Sequence, residues 1–251
     1  EENPKNGYAH ALIAVIRKEY KEYGRAISAI DQAIKYIPKK DKVYFSWAFA
    51  QKSEIYQWLE ERDKALECIN EAISIMPDES KYYVDRGKLL VYMEKYDDAE
   101  KDYRKLIALD SGDVMGYMGL AAIAKRKKDY DTAIKHYDYV IKLESEYSTS
   151  YSYRAFCFFK QKKYNEASSD VVKALSIDGD DYAYIMLYQM ADSCLVNIAT
   201  KLKVEAAKSP TNDHWPFYLG CVYDEADQCK KAIDYYKESN RLNANPLKSY
   251  R

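Results

Sequence analysis

The stretch KYDDAEKDYRKLIALDSGD, residues 95–113, returns 34 residues later as DYDTAIKHYDYVIKLESEY, and 34 later again as KYNEASSDVVKALSIDGDD. Ala99, Ala133 and Ala167 keep one beat. Each has a Tyr three residues before it (Tyr96, Tyr130, Tyr164) and a bulky side chain four after it (Tyr103, Tyr137, Val171). Twelve residues before each alanine stands another small residue: Gly87, Ala121 or Ala155. The same frame takes in Ala65 with Ser53 and Ile69, Ala26 with Ala14 and Ile30, and Ala232 with Gly220 and Tyr236. A period of this length constrains the fold more than any single motif, because each copy must be one supersecondary unit.

The unit is read from its periodicity. SKYYVDRGKLLVYME and YDDAEKDYRKLIALD both carry helical spacing, and neither alternates as a strand would. The link between them is short, so the two helices are expected to lie antiparallel as neighbours. Small residues at fixed slots let the helix axes approach, and the bulky residue one turn on fills the space beside them. One such hairpin cannot bury its apolar face alone; stacking roughly three or more closes a core. With 8 Gly and 6 Pro in 251 residues, a turn-rich β fold is disfavoured. The 27 Tyr suit wide helix–helix seams, where a ring packs and its hydroxyl finds a partner.

This pattern resembles the tetratricopeptide repeat, W-x2-L-G-x2-Y followed by A-x3-F and a closing P. PFYLGCVY sets Leu219, Gly220 and Tyr223 in the slots, with Pro216 in place of the Trp. Tyr83, Gly87 and Leu90, then Tyr117, Ala121 and Ala124, then Tyr151, Ala155 and Phe158 fill the same places. The closing Pro is kept as Pro38 and Pro77, and later turns use Ser111, Ser145 and Gly179. The resemblance implies an all-α fold, a right-handed α-solenoid (superhelix) of stacked antiparallel helix hairpins. It would form one solenoid over 1–251 with about seven helix pairs, near 7–40, 41–79, 80–113, 114–147, 148–181, 182–212 and 213–246. Two departures stand out. Ala26 to Ala65 is 39 residues, so about five extra residues sit at that junction or lengthen a helix. Ala167 to Ala232 is 65, which leaves a degenerate pair of helices near 182–212 without the alanine beat.

Net charge is −1, so the whole-molecule field gives no reason to expect nucleic acid. The least charged stretch, IMLYQMADSCLVNIA (185–199), is too short to span a bilayer, and no membrane insertion is expected. The chain opens on EENPKNGY without Met or a signal pattern, and so reads as a mature form or an excerpt; the compartment is open between cytoplasm and periplasm. Five Cys lack C-x-x-C pairing and read as structural thiols. His10, His136 and His214 show no metal or catalytic spacing, and DSGD and DGDD read as turns and helix caps. No cofactor, no metal site and no enzymatic constellation is read.

The resemblance implies a concave groove lined by first helices, with residues three before, one after and four after each small slot sharing a face. The second unit then presents Glu54 and Gln57, with Trp58 beside them, and the third presents Val84, Lys88 and Tyr92. The fourth presents Met118, Lys125 and Arg126, and the fifth Phe156, Phe159 and Lys160. This is an apolar and aromatic trough edged with positive charge. It suits a protein or peptide ligand with apolar anchors and acidic flanks. In the bland alternative, Phe156, Val84 and Met118 pack between adjacent first helices and the lysines snorkel. The Asn slots of the family's carboxylate clamp hold Val15, Glu54, Lys88 or Ala122, so that clamp is not expected. A second reading of the chain is a self-associating module, including a homodimer through a solenoid end, or a structural module of a larger multidomain protein. There the last helix would expose Ala232, Ile233 and Tyr236, with NPLKSYR too short to cover them.

Overall fold

Each beat alanine sits where two helices touch: Ala26, Ala65, Ala99, Ala133 and Ala167 are 0% exposed and Ala232 is 1%. The computed structural model describes residues 5–177 and 181–243, and all their side chains except those of 191–193. Among the described residues there are thirteen α-helices and no strand. They are α1 (Gly7–Glu19), α2 (Tyr23–Tyr36), α3 (Lys42–Trp58), α4 (Arg62–Ile75), α5 (Ser80–Tyr92), α6 (Tyr96–Leu109) and α7 (Val114–Arg126). Then follow α8 (Tyr130–Leu143), α9 (Ser148–Lys160), α10 (Tyr164–Ile177), α11 (Asp181–Lys208), α12 (His214–Glu225) and α13 (Cys229–Asn243). No helix among them is long and apolar enough to cross a membrane. The chain divides into two units, Glu1–Ile123 and Ala124–Arg251.

In the first unit α1 pairs with α2, α3 with α4 and α5 with α6, while α2 packs on α3 and α4 on α5. The small slots explain the pairing. Ser53 Oγ donates 2.7 Å to the carbonyl of Ala65, tying slot to beat directly. Gly87 leaves room for Tyr103: a Cβ there would lie 2.8 Å from Tyr103 Cζ, and one on Gly119 would meet the same ring. The ring is 3% exposed, so both glycines are needed for backbone approach rather than for flexibility. The extra residues of the first junction lengthen α3 to 17 residues against 13 in α5. Asp113 caps α7 by accepting from Gly116 N at 2.7 Å, and Asp110 accepts from Gly112 N at 2.8 Å, so DSGD is turn and cap chemistry.

Every hairpin turn contains a residue in the left-handed region that is not glycine: Lys21, Glu60, Glu94, Lys128, Lys162 and Asp227, with φ between 55° and 62°. Each stands five residues before its beat alanine. The carbonyls of the preceding helix end are satisfied in one pattern, as in Glu94 N to Val91 O at 3.1 Å and Lys95 N to Leu90 O at 2.9 Å.

In the second unit α9 pairs with α10 and α12 with α13, and α11 packs between them on α10 and α12. Here the expected helix pair near 182–212 is corrected: α11 is one helix of 28 residues. Met186, Met190, Cys194, Ile198 and Leu202 recur every fourth residue and are at most 2% exposed. A buried stripe at that spacing is what one uninterrupted helix presents to its neighbours. No Gly or Pro interrupts it before Pro210. The turn residue Gly179 and the tail NPLKSYR lie outside the described residues.

Candidate functional site

In the first unit the first helices α3 and α5 border an open cleft of ≈ 510 Å³ that gathers Glu54, Gln57, Trp58, Lys88 and Tyr92. It adjoins a recess of ≈ 280 Å³ reaching down to Trp47, Tyr82 and Asp85. Slot spacing placed the five cleft residues on one face. Their supports come from elsewhere. Trp58 is 61% exposed, yet its ring stacks on Tyr23 with centroids 6.3 Å apart. Tyr92 is 64% exposed and is held by Arg62, whose guanidinium lies 4.4 Å from the ring centre and donates 3.1 Å to the hydroxyl. Two presented aromatic walls are thus fixed before any ligand arrives.

Charge in this cleft is mixed. Lys18 from α1 pairs with Glu54 at 2.8 Å and donates to Gln51 at 3.4 Å. Burial pushes the Asp85 carboxyl above the usual carboxylate range, while Lys81 and Lys88 pull it back. Arg62, Asp85, Tyr82 and Trp47 were not singled out from the sequence. Arg62 is on a second helix and Asp85 lies outside the three positions used to define the face.

Two of the expected groove residues pack inward. Met118 is 8% exposed, and Val84 is half-buried against the core of α3–α6. The reason is the one weighed against the trough: apolar side chains at these positions fill the seam between first helices.

In the second unit Lys125 is no rim charge. Its ammonium lies 3.9 Å from the centre of the Tyr153 ring and 5.5 Å from those of Phe156 and Tyr182. Burial lowers its pKa, and Arg126 lowers it further. Phe156 and Phe159 are half-buried against the core of this unit, and Lys160 lies 5.1 Å over Phe156. Arg126 and Lys160 are exposed. Among the described residues, none of Lys125, Arg126 and Lys160 forms an ion pair. Lys125 and Lys160 set among rings, with Arg126 beside them and none of the three paired with a carboxylate, leave room for an anionic partner.

The profile of the tetratricopeptide repeat family matches residues 84–148. A TPR repeat-containing protein of Methanocaldococcus jannaschii is 30% identical over 125 residues, 50% of this chain and 21% of the relative. The chain therefore spans about a fifth of the length of the curated relative it matches. A tetratricopeptide repeat protein of Parabacteroides merdae superposes with a TM-score of 0.65 at 19% identity, covering 88% of this chain and 85% of that one. Pseudomonas aeruginosa pilF gives 0.62 at 13%, covering 81% and 92%. Human IFIT1, as a dimer with PPP-AAAA, gives 0.64 at 17%, covering 97% and 56%. At these identities the likeness speaks for the fold: stacked helix hairpins.

Proposed function

Because this chain carries tetratricopeptide repeats, we propose that it is a protein-interaction scaffold whose first-helix face grips a segment of a partner protein. The segment is extended or helical, with an apolar or aromatic anchor held between Trp58 and Tyr92 and acidic flanks meeting Lys88, Lys81 and Arg62. One observation carries the reading: four of the five residues gathered at the cleft, Gln57, Trp58, Lys88 and Tyr92, are exposed, and the core has no use for them. Rigid, presented aromatic side chains with polar groups beside them are what anchors of binding energy look like. Gln57 and Asp85 offer an amide and a carboxylate to the backbone of such a segment. In the second unit, Lys125, Arg126 and Lys160 favour the same acidic chemistry.

The test is selection of random peptides on the purified chain, followed by anisotropy titration of one labelled peptide. Enriched sequences should share an apolar residue flanked by Asp or Glu. Trp58→Ala should weaken binding by about tenfold or more, the cost of losing one anchor, and Lys88→Glu should weaken an acidic peptide in a salt-dependent way. Lys101→Glu, on the second helix α6, should change nothing. Equal affinity in the wild type, Trp58→Ala and Lys88→Glu would refute the cleft as the site.

A further inference from the structure

The stripe expected on the last helix reduces to Ile233, because Ala232 is buried and Tyr236 half-buried. A longer stripe runs along α11. Its inward face there is Cys194, Ile198 and Leu202, and Val196, Thr200, Val204 and Lys208 recur at the same spacing on the opposite side. Val196 is 76% and Val204 51% exposed. This outer face exists because α11 runs on for 28 residues, where α9 stops after 13.

Between α11 and α10 opens a furrow of ≈ 580 Å³. Val172, 5% exposed, is its floor, and Val204 continues the apolar surface up the α11 side. The edges are polar: Ser169, Lys173 and Ser176 on α10, and Thr200, Lys201 and Lys208 on α11. Glu205 also lines the furrow, and Lys208 takes up its carboxylate at 2.6 Å. Among the described residues, Lys173 and Lys201 pair with no carboxylate.

The form of the furrow selects among anionic ligands. Ser169 Oγ donates 3.0 Å to the Asn165 carbonyl and Ser176 Oγ 2.7 Å to that of Lys173, so both hydroxyl protons are already engaged. The backbone N–H groups on both sides belong to helix interiors and are engaged there. A compact phosphate would thus meet separate ammonium groups and no converging cradle of donors. The cations are instead spread out: Lys201 and Lys208 are seven residues apart, about 10 Å along the axis, with Val204 between them. Carboxylates two helical turns apart, beside an apolar stripe, match that layout.

We propose that this furrow is a second docking surface, taking an acidic amphipathic helix of a partner protein laid along α10 and α11. The apolar side of that helix covers Val172 and Val204, and its carboxylates meet Lys173 and Lys201. Charge complementarity and the exposed valines carry the assignment. Neither depends on the first-helix cleft.

A library of helical peptides with randomised outward positions, selected on the purified Trp58→Ala, Lys88→Glu chain, tests the furrow with the cleft disabled. Enriched peptides should be acidic, with apolar residues spaced three and four apart. In anisotropy titrations of one labelled peptide, Val204→Asp and Lys173→Glu should each weaken binding by about tenfold or more. Both positions are exposed, and circular dichroism checks the fold of each variant. The Lys173→Glu effect should shrink as salt is added. Enriched peptides without acidic residues, or equal affinity in parent and both variants, would overturn the proposal. A sedimenting mass that rises with concentration and falls back in Val204→Asp would make the occupant a second copy and refute the partner helix. Phosphatidylserine vesicles bound by the parent and not by Val204→Asp, with no peptide enriched, would refute it in favour of a membrane surface.

Discussion

Arg154 donates two hydrogen bonds of 2.7 Å to the buried Asp170 carboxylate, and its remaining nitrogen reaches Asp138 at 2.5 Å. Two periods earlier Arg86 does the same with Asp102, at 2.8 and 2.6 Å, and with Asn70 at 2.7 Å. In each case an arginine on a first helix clips its own second helix and the preceding one together. These are fork-to-carboxylate pairs, with Asp102 3% and Asp170 5% exposed.

Removing one partner strands the other. Asp170→Ala leaves a half-buried guanidinium without its carboxylate and should cost about 3–5 kcal/mol. Arg154→Met combined with Asp170→Leu should recover much of that loss, because an apolar pair of similar volume carries no desolvation penalty. Urea denaturation of the wild type, the single variant and the double variant measures both. A double variant no more stable than Asp170→Ala would show that the clip contributes through more than charge pairing.

The hairpin turns give a prediction of opposite sign. Glu94 holds a left-handed backbone at φ 59° with a side chain that disfavours it. A β-carbon in that region costs roughly 1–2 kcal/mol, partly offset by the greater freedom of glycine in the unfolded chain. Glu94→Gly should therefore stabilise by about 0.5–1 kcal/mol, read as a higher denaturation midpoint with an unchanged slope. A lower midpoint would mean the Glu94 side chain contributes more than its backbone strain removes.

Lys125 carries a pH dependence. Burial lowers its pKa in the folded chain, so as pH rises toward the ordinary lysine value of about 10.4 the folded state gives up its proton first. Its contribution to stability then rises with pH through that alkaline window, while below the folded pKa both states are protonated and the desolvation penalty is present in full. The stability gap between Lys125→Met and the wild type should accordingly move in favour of the wild type from neutral to alkaline pH. Paired urea titrations at the two ends would show it. A gap that does not change with pH would contradict the account of Lys125 as a desolvated ammonium.

How much of this could be read from residues alone depends on the kind of interaction. The beat alanines and their slots were readable because close helix approach restricts side-chain size, and size is written in the sequence. The cleft residues Glu54, Gln57, Trp58, Lys88 and Tyr92 were readable because they follow from the same slots by helical spacing. The single helix α11 was misread as two: chain length suggested a pair, whereas the stripe from Met186 to Leu202, present in the sequence, argued for one. The left-handed turns left no sign, since Glu, Lys and Asp fill places where glycine would have announced them. Lys125 was expected at the charged rim of the trough, and its cage was not legible because Tyr153 and Tyr182 come from helices brought near only by tertiary packing.

The account depends on hairpins that have no sufficient interior until a neighbour covers them, and one measurement tests this most directly. A peptide of residues 80–109, holding α5 and α6 with Gly87, Ala99 and Tyr103, can be compared by circular dichroism with residues 1–123. The peptide should be largely unfolded in water and lack a cooperative thermal transition, while the longer piece folds cooperatively. An isolated hairpin that is helical and melts sharply would contradict the claim.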